Sequence, residues 1–114
     1  MEYKNIINLT PHTVKVLDTD GNLVEIPPSQ LVARCSKNKE VVGQVIFNDR
    51  KIDIVKYSYN NIINVPEPQK GTLYLVSAIV KNALPDRADV VAVDRPERGN
   101  NREVLFAYGF RVNG

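Results

Sequence analysis

The chain has 114 residues, 43% of them apolar and 25% charged, and fifteen basic against thirteen acidic side chains give a formal net charge of +2. That length fits one domain, residues 1–114, able to bury roughly two-thirds of its unfolded surface in a single modest core. The net charge is too small to argue for a nucleic-acid partner. No apolar run approaches the ~20 residues that span a bilayer, and the lone cysteine, Cys35, excludes an internal disulfide.

The opening MEYKNIINL carries an apolar stretch too short for a secretory signal, so cytoplasmic residence is the expectation. Residues 6–9 form a short strand pattern. Pro11 breaks it, because it lacks an amide hydrogen and biases Thr10 toward extended backbone. Residues 13–17 alternate, and Asp18-Thr19-Asp20-Gly21-Asn22 is a turn signal with Asp-Gly supplying a positive φ. Residues 23–26 then pair back as a hairpin that Pro27-Pro28 ends.

A strand is predicted over 31–35, a lysine-bearing polar loop over 36–40, and a strand over 41–47 with a bulge at Gly43. Asn48-Asp49 is a second turn. Residues 52–59 alternate in part, Asn60-Asn61 interrupts, and 62–65 is a short apolar run. The connector 66–71 holds Pro66 and Pro68, which bars it from a central strand.

Residues 72–76 are apolar almost throughout, which suits a strand buried on both faces. Ser77 can cap a helix of about two turns over 77–84, with Ile79, Val80 and Ala83 on the inner side and Lys81 and Asn82 outward. Pro85 stops it. A charged turn at 86–89 leads to a strand over 90–93, a polar loop over 95–102, and a last strand over 103–112 with Phe106, Tyr108 and Phe110 on one side. The fold class is α+β, mainly β: a compact sheet or small barrel with one short helix. The segment 72–93 fits either a parallel crossover or a helix laid as a lid over an antiparallel sheet, and the short turn-punctuated strands favour the lid.

With one histidine and one cysteine there is no zinc-type ligand set, and the glycine-rich phosphate loops and the nucleophile elbow are absent. No metal or cofactor is implied. A Ser-His-Asp triad would have to combine His12 with Ser77 and Asp94 or Asp89. The plainer reading makes Ser77 a helix cap and His12 a turn residue between strands. His12 could also stand at a site mouth, where imidazole donates, accepts or titrates.

A helix start offers free amides to an anion, and Arg34, Arg87, Arg95 and Arg98 could add charge-assisted partners. Against this stands the reading of a capped helix with solvated arginines. Lys37, Lys39, Arg50, Lys51 and Lys56, interleaved with tyrosines, could contact nucleic acid, but Glu40, Asp49 and Asp53 dilute the patch and favour a solvated sheet face.

Asn8-Leu9-Thr10-Pro11-His12, Ile26-Pro27-Pro28-Ser29, Pro66-Glu67-Pro68, the stretch from Gly71-Thr72-Leu73-Tyr74 to Leu75-Val76-Ser77, and Pro85-Asp86-Arg87-Ala88-Asp89 together resemble a family of small bacterial and phage or prophage proteins. The likeness runs to about Asp94. It implies an intracellular bacterial or phage setting and carries over no catalytic role.

The leading expectation is a small non-enzymatic binding protein for an anionic small molecule such as a nucleotide. His12, Arg34, Ser77, Arg87 and Asp94 are its candidate ligand-binding residues. The alternative is a structural or protein-interaction module, a homo-oligomer built through sheet edges or the Phe106/Tyr108/Phe110 face. A small hydrolase comes third.

Overall fold

The structure, a computed structural model, describes residues 3–113. In chain order the elements are β1 (Asn5–Asn8), β2 (Val14–Leu17), β3 (Leu23–Ile26), β4 (Arg34–Phe47), β5 (Arg50–Ile63), β6 (Thr72–Leu75), α1 (Ala78–Ala83), β7 (Val90–Asp94), β8 (Glu97–Arg98), β9 (Val104–Phe106) and β10 (Gly109–Val112). The fold is mainly β with a single short helix among the described residues, several sheets and no closed barrel.

The central sheet has the order β1-β6-β7-β10. β1 runs parallel to β6, β6 parallel to β7, and β10 antiparallel to β7. The helix therefore belongs to a parallel β6-α1-β7 crossover, and the lid over an antiparallel sheet is overturned. The reason is length. Residues 76–89 suffice for the crossover that parallel neighbours require, and the buried run of β6 has the composition of a strand covered on both faces.

Leu9, Ala33, Tyr74, Val76, Val80 and Val90 form the main core. Tyr74 is fully buried, and its hydroxyl donates to Glu67 O at 3.0 Å, so the aromatic body packs while its polar end is satisfied. Ser77 caps the helix as expected, its Oγ accepting from Val80 N at 3.3 Å. Lys81 departs from expectation, being buried rather than outward. Its ammonium donates to Asn113 Oδ1 at 3.0 Å, while Asn113 Nδ2 donates to Lys81 O and Leu84 O. The lysine stem covers apolar surface and its charge sits by the helix C-terminal carbonyls, where a cation is favoured. Ile79 stays exposed.

Asn8, also buried, ties the first loop down. Its Nδ2 donates to His12 O (2.9 Å) and Ile26 O (3.0 Å), and its Oδ1 accepts from Thr10 N (2.9 Å) and Thr10 Oγ1 (2.6 Å). All four of its amide hydrogen-bonding positions are thus used. The loop that carries His12 is held to β1 and to the end of β3.

The expected last strand is split. Ala107, fully buried, leaves β9 to bridge Val16 of β2, and Tyr108 N then bonds Asp94 O before β10 begins. Phe106 and Tyr108 meet edge to face at 5.5 Å instead of lying along one continuous face. Residues 97–98, expected in a loop, form β8 paired with β9.

β4 and β5 make an antiparallel ribbon of 14 residues per strand. At ~3.3 Å per residue each strand is about 45 Å long. The ribbon is an arm: the radius of gyration is 17.1 Å, against ~13 Å for a compact chain of this length. One expectation fails here and another holds locally. Residues 36–40 are strand, not loop. Asn60-Asn61 lies within β5 but disturbs its ladder: Asn61 has φ of 56°, and the register shifts opposite it, between Arg34 and Ser36. Ser, Asn and Lys suit a ribbon wet on both sides, where no core demands apolar alternation. The Asn48-Asp49 turn has φ of 51° and 61° at the two residues, the left-handed pair of a tight hairpin. A second register shift falls between Val41 and Gly43.

Candidate functional site

The three parallel strands β1, β6 and β7 end on the same side of the body. The segments leaving them are Thr10 to Thr13, Ser77-Ala78 and Asp94 to Pro96. Open parallel sheets characteristically leave a crevice outside these carboxyl ends, because the connections diverge to opposite faces. Here that crevice is a cleft of about 730 Å³, floored by Val76, Ala92 and Val93 and walled by Thr10, His12, Lys15, Ser77 and β9. The volume is that of a typical small-molecule site.

The chemistry of the wall is uneven. Lys15, Arg98, Arg111 and His12 face Glu103 as the one carboxylate, while Val14, Pro96, Val104 and Leu105 supply apolar surface. Lys15 is in loose contact with Glu25 at 3.7 Å, and Arg98 donates to Arg102 O at 3.0 Å. Arg111 has no ion-pair or side-chain hydrogen-bond partner among the described residues, and neither does the His12 imidazole. Arg111 pairs across the sheet with Ala92, so both side chains stand on one face. This places a free guanidinium over a small, buried floor residue.

His12 and Ser77 are brought to this cleft. Arg34 lies beside it, in a second hollow of about 280 Å³ that it lines with Thr10, Cys35 and Ser77. Thr10 and Ser77 thus form the shared wall between the two. Arg87 and Asp94 are not brought in, and neither lines either of these two hollows. Arg87 lies beyond the far end of the helix, its Nε and Nη2 on Asp89 at 2.8 and 2.9 Å and its Nη2 also on Pro66 O at 3.0 Å. That bidentate pair holds the Asp89 carboxyl below the usual carboxylate range. It fastens the proline connector to the β7 approach. Asp94 accepts from Arg95 Nε at 3.1 Å, and the Arg95 guanidinium covers the Tyr108 ring at 5.0 Å.

The triad is not assembled. Asp94 is engaged with Arg95, and no hydrogen bond joins His12 to Ser77, whose Oγ accepts from Val80 N. Among the described residues no three His, Cys, Asp or Glu side chains gather in a group that could hold a metal ion, and no helix is long and apolar enough to cross a membrane. Arg111, Lys15 and Glu103 are the cleft residues that sequence reasoning missed. The readable signal for Arg111 was a lone cation inside the final strand, next to Phe110 and on the opposite face. No family model, curated protein or solved structure matches the chain.

Proposed function

We propose that this is a small non-enzymatic binding protein whose ligand is an anionic small molecule with an apolar or aromatic body, a nucleotide being the obvious class. The observation that carries the reading is the unpartnered Arg111 guanidinium in a roomy cleft whose other charged groups are Lys15, Arg98 and a single carboxylate, with the His12 imidazole beside them. A guanidinium binds phosphate or carboxylate through two parallel hydrogen bonds, which gives both energy and orientation. The valine and leucine walls would cover a base or other flat body. His12, held by the bonds of Asn8 to its loop, stands where it can donate to an anion.

The test is a thermal-shift screen of nucleotides, sugar phosphates and sulfate in moderate salt, which suppresses weak surface binding. A ligand at about 100 times its dissociation constant stabilises the folded state by roughly 2.7 kcal/mol, a rise on the order of 10 °C for a domain of this size. Arg111→Ala should remove most of the rise and Arg98→Ala part of it, while Arg34→Ala, in the neighbouring hollow, should change it least. No shift with any anion, or an undiminished shift in Arg111→Ala, rejects the reading.

A further inference from the structure

The arm presents two faces, and the strand pairing separates them. Gly43 with Ile54, Val45 with Ile52, and Phe47 with Arg50 are direct cross-strand partners and share one face. Gln44 with Asp53 and Ile46 with Lys51 share the other. The first face is apolar over its outer third, yet Phe47 is 66% exposed and Val45, Ile52 and Ile54 are each about half exposed. A two-stranded ribbon is at best marginally stable in water by itself, and this one lacks a second layer.

We infer that this face is a dimerisation surface and that its occupant is the same face of a second copy of the chain. The argument is self-complementarity about a two-fold axis through the Val45–Ile52 pair. Phe47 lies two residues toward the tip from Val45, and Gly43 lies two residues toward the body. Antiparallel face-to-face packing therefore sets each Phe47 over the partner's Gly43. Gly43 is a real gap: only Ile54 Cδ1 comes within 4.0 Å of where a Cβ would stand. One knob meets one hole, twice, as an isologous contact requires.

Charge adds a contact at the ends of the overlap. Glu40 and Lys56, paired with each other on the same face, lie one level beyond Gly43 toward the body. The inversion that sets Phe47 over Gly43 also lays β5 over β5, with Arg50 over the partner's Ile54, and brings Asp49 of the tip turn toward the partner's Lys56. The face is narrow, so the dimer belongs among small interfaces, with a dissociation constant on the order of micromolar.

Sedimentation over a range of concentrations tests this. The chain mass is 12.8 kDa, and the parent should approach twice that value at high micromolar concentration. Val45→Asp should raise the dissociation constant more than tenfold, while Ile46→Asp, on the opposite face, should leave it within about threefold. Gly43→Phe should weaken the dimer by filling the hole. Gly43→Phe combined with Phe47→Gly, which exchanges knob and hole, should recover most of the loss. Thermal melts of each variant at low concentration check that the fold survives. A parent that stays monomeric, a dimer that survives Val45→Asp, or an exchange variant no better than Gly43→Phe alone overturns the inference. The cleft lies in the body, so anion-induced shifts should persist in Val45→Asp, and either idea can fail without the other.

Discussion

Tyr74 in β6 and Tyr57 in β5 are the same residue in the same secondary structure, and the molecule treats them oppositely. Tyr74 is 0% exposed, sandwiched in the core with its hydroxyl on Glu67 O; Tyr57 is 45% exposed, with Lys37 Nζ 4.5 Å over its ring. The difference lies in layering. The body stacks a helix on one face of a four-stranded sheet, so apolar surface is removed from water by a second layer. Beyond its base, where Cys35 packs on the core, the arm is one layer only, so Val41, Ile46 and Phe47 remain wet although they too sit in a paired ladder. Strand geometry alone, then, contributes little burial.

Substitution of the two tyrosines breaks this comparison most sharply. Tyr74→Ala should cost about 3–5 kcal/mol, the usual range for removing a large buried aromatic, and Tyr57→Ala less than about 1 kcal/mol. Tyr74→Phe, which keeps the packing and leaves Glu67 O without its donor, should cost roughly 1 kcal/mol. Urea denaturation midpoints with unchanged slopes would measure all three. Equal losses at Tyr74 and Tyr57 would mean the arm is packed against something.

The body was largely legible from the chain, and the arm was not. The apolar run of β6, Ser77 as a cap, Pro85 as a stop and the Asp-Gly hairpin are local signals, and each led to the right element. The direction of pairing was less legible, because a short apolar strand reads the same whether its neighbour is parallel or antiparallel. In the arm the pattern that marks a strand is absent. Lys37, Asn38 and Lys39 pair with Tyr59, Ser58 and Tyr57, and with water on both faces nothing imposes alternation. Among candidate site residues, His12 and Ser77 were readable because both follow strands that end at the cleft. Arg87 was misplaced because a cation near a helix in sequence can stand at either of its ends. Arg111 arrives from the far end of the chain through β10, which only the sheet order reveals.

The Arg87–Asp89 pair sharpens the comparison at intermediate size, since it braces the body and is mostly withdrawn from solvent. The Asp89 carboxyl is held below its ordinary value chiefly by the Arg87 hydrogen bonds; burial opposes this, and the Arg87 charge adds a smaller lowering. A depressed carboxylate stabilises the fold above the unfolded value near pH 3.9, and that contribution fades as pH falls through the lower folded value. Asp89→Asn should therefore cost on the order of 1–3 kcal/mol at pH 7, because it removes the charge and one of the two oxygens that accept from the largely buried Arg87 guanidinium and sets an amide NH2 against it. The gap between parent and variant should narrow below about pH 4. Melting curves at pH 7, 5 and 3 would show it. A gap that does not change with pH would mean the pair acts through packing alone.

The smallest effect belongs to the arm. Ile46 is 66% exposed and faces the same way as Lys51, away from the Val45–Ile52 face. Ile46→Thr keeps the branched Cβ that suits a strand and replaces an ethyl group that touches mostly water with a hydroxyl. The folded state loses little contact, and the unfolded state exposes little more than the native one did. The unfolding free energy should move by less than about 0.5 kcal/mol, at low and at high protein concentration alike. A loss above about 1 kcal/mol at low concentration would show Ile46 buried within the single chain, placing the arm against the body. A loss that appears only at high concentration would place Ile46 in a contact between copies and put the wrong face of the arm at the interface.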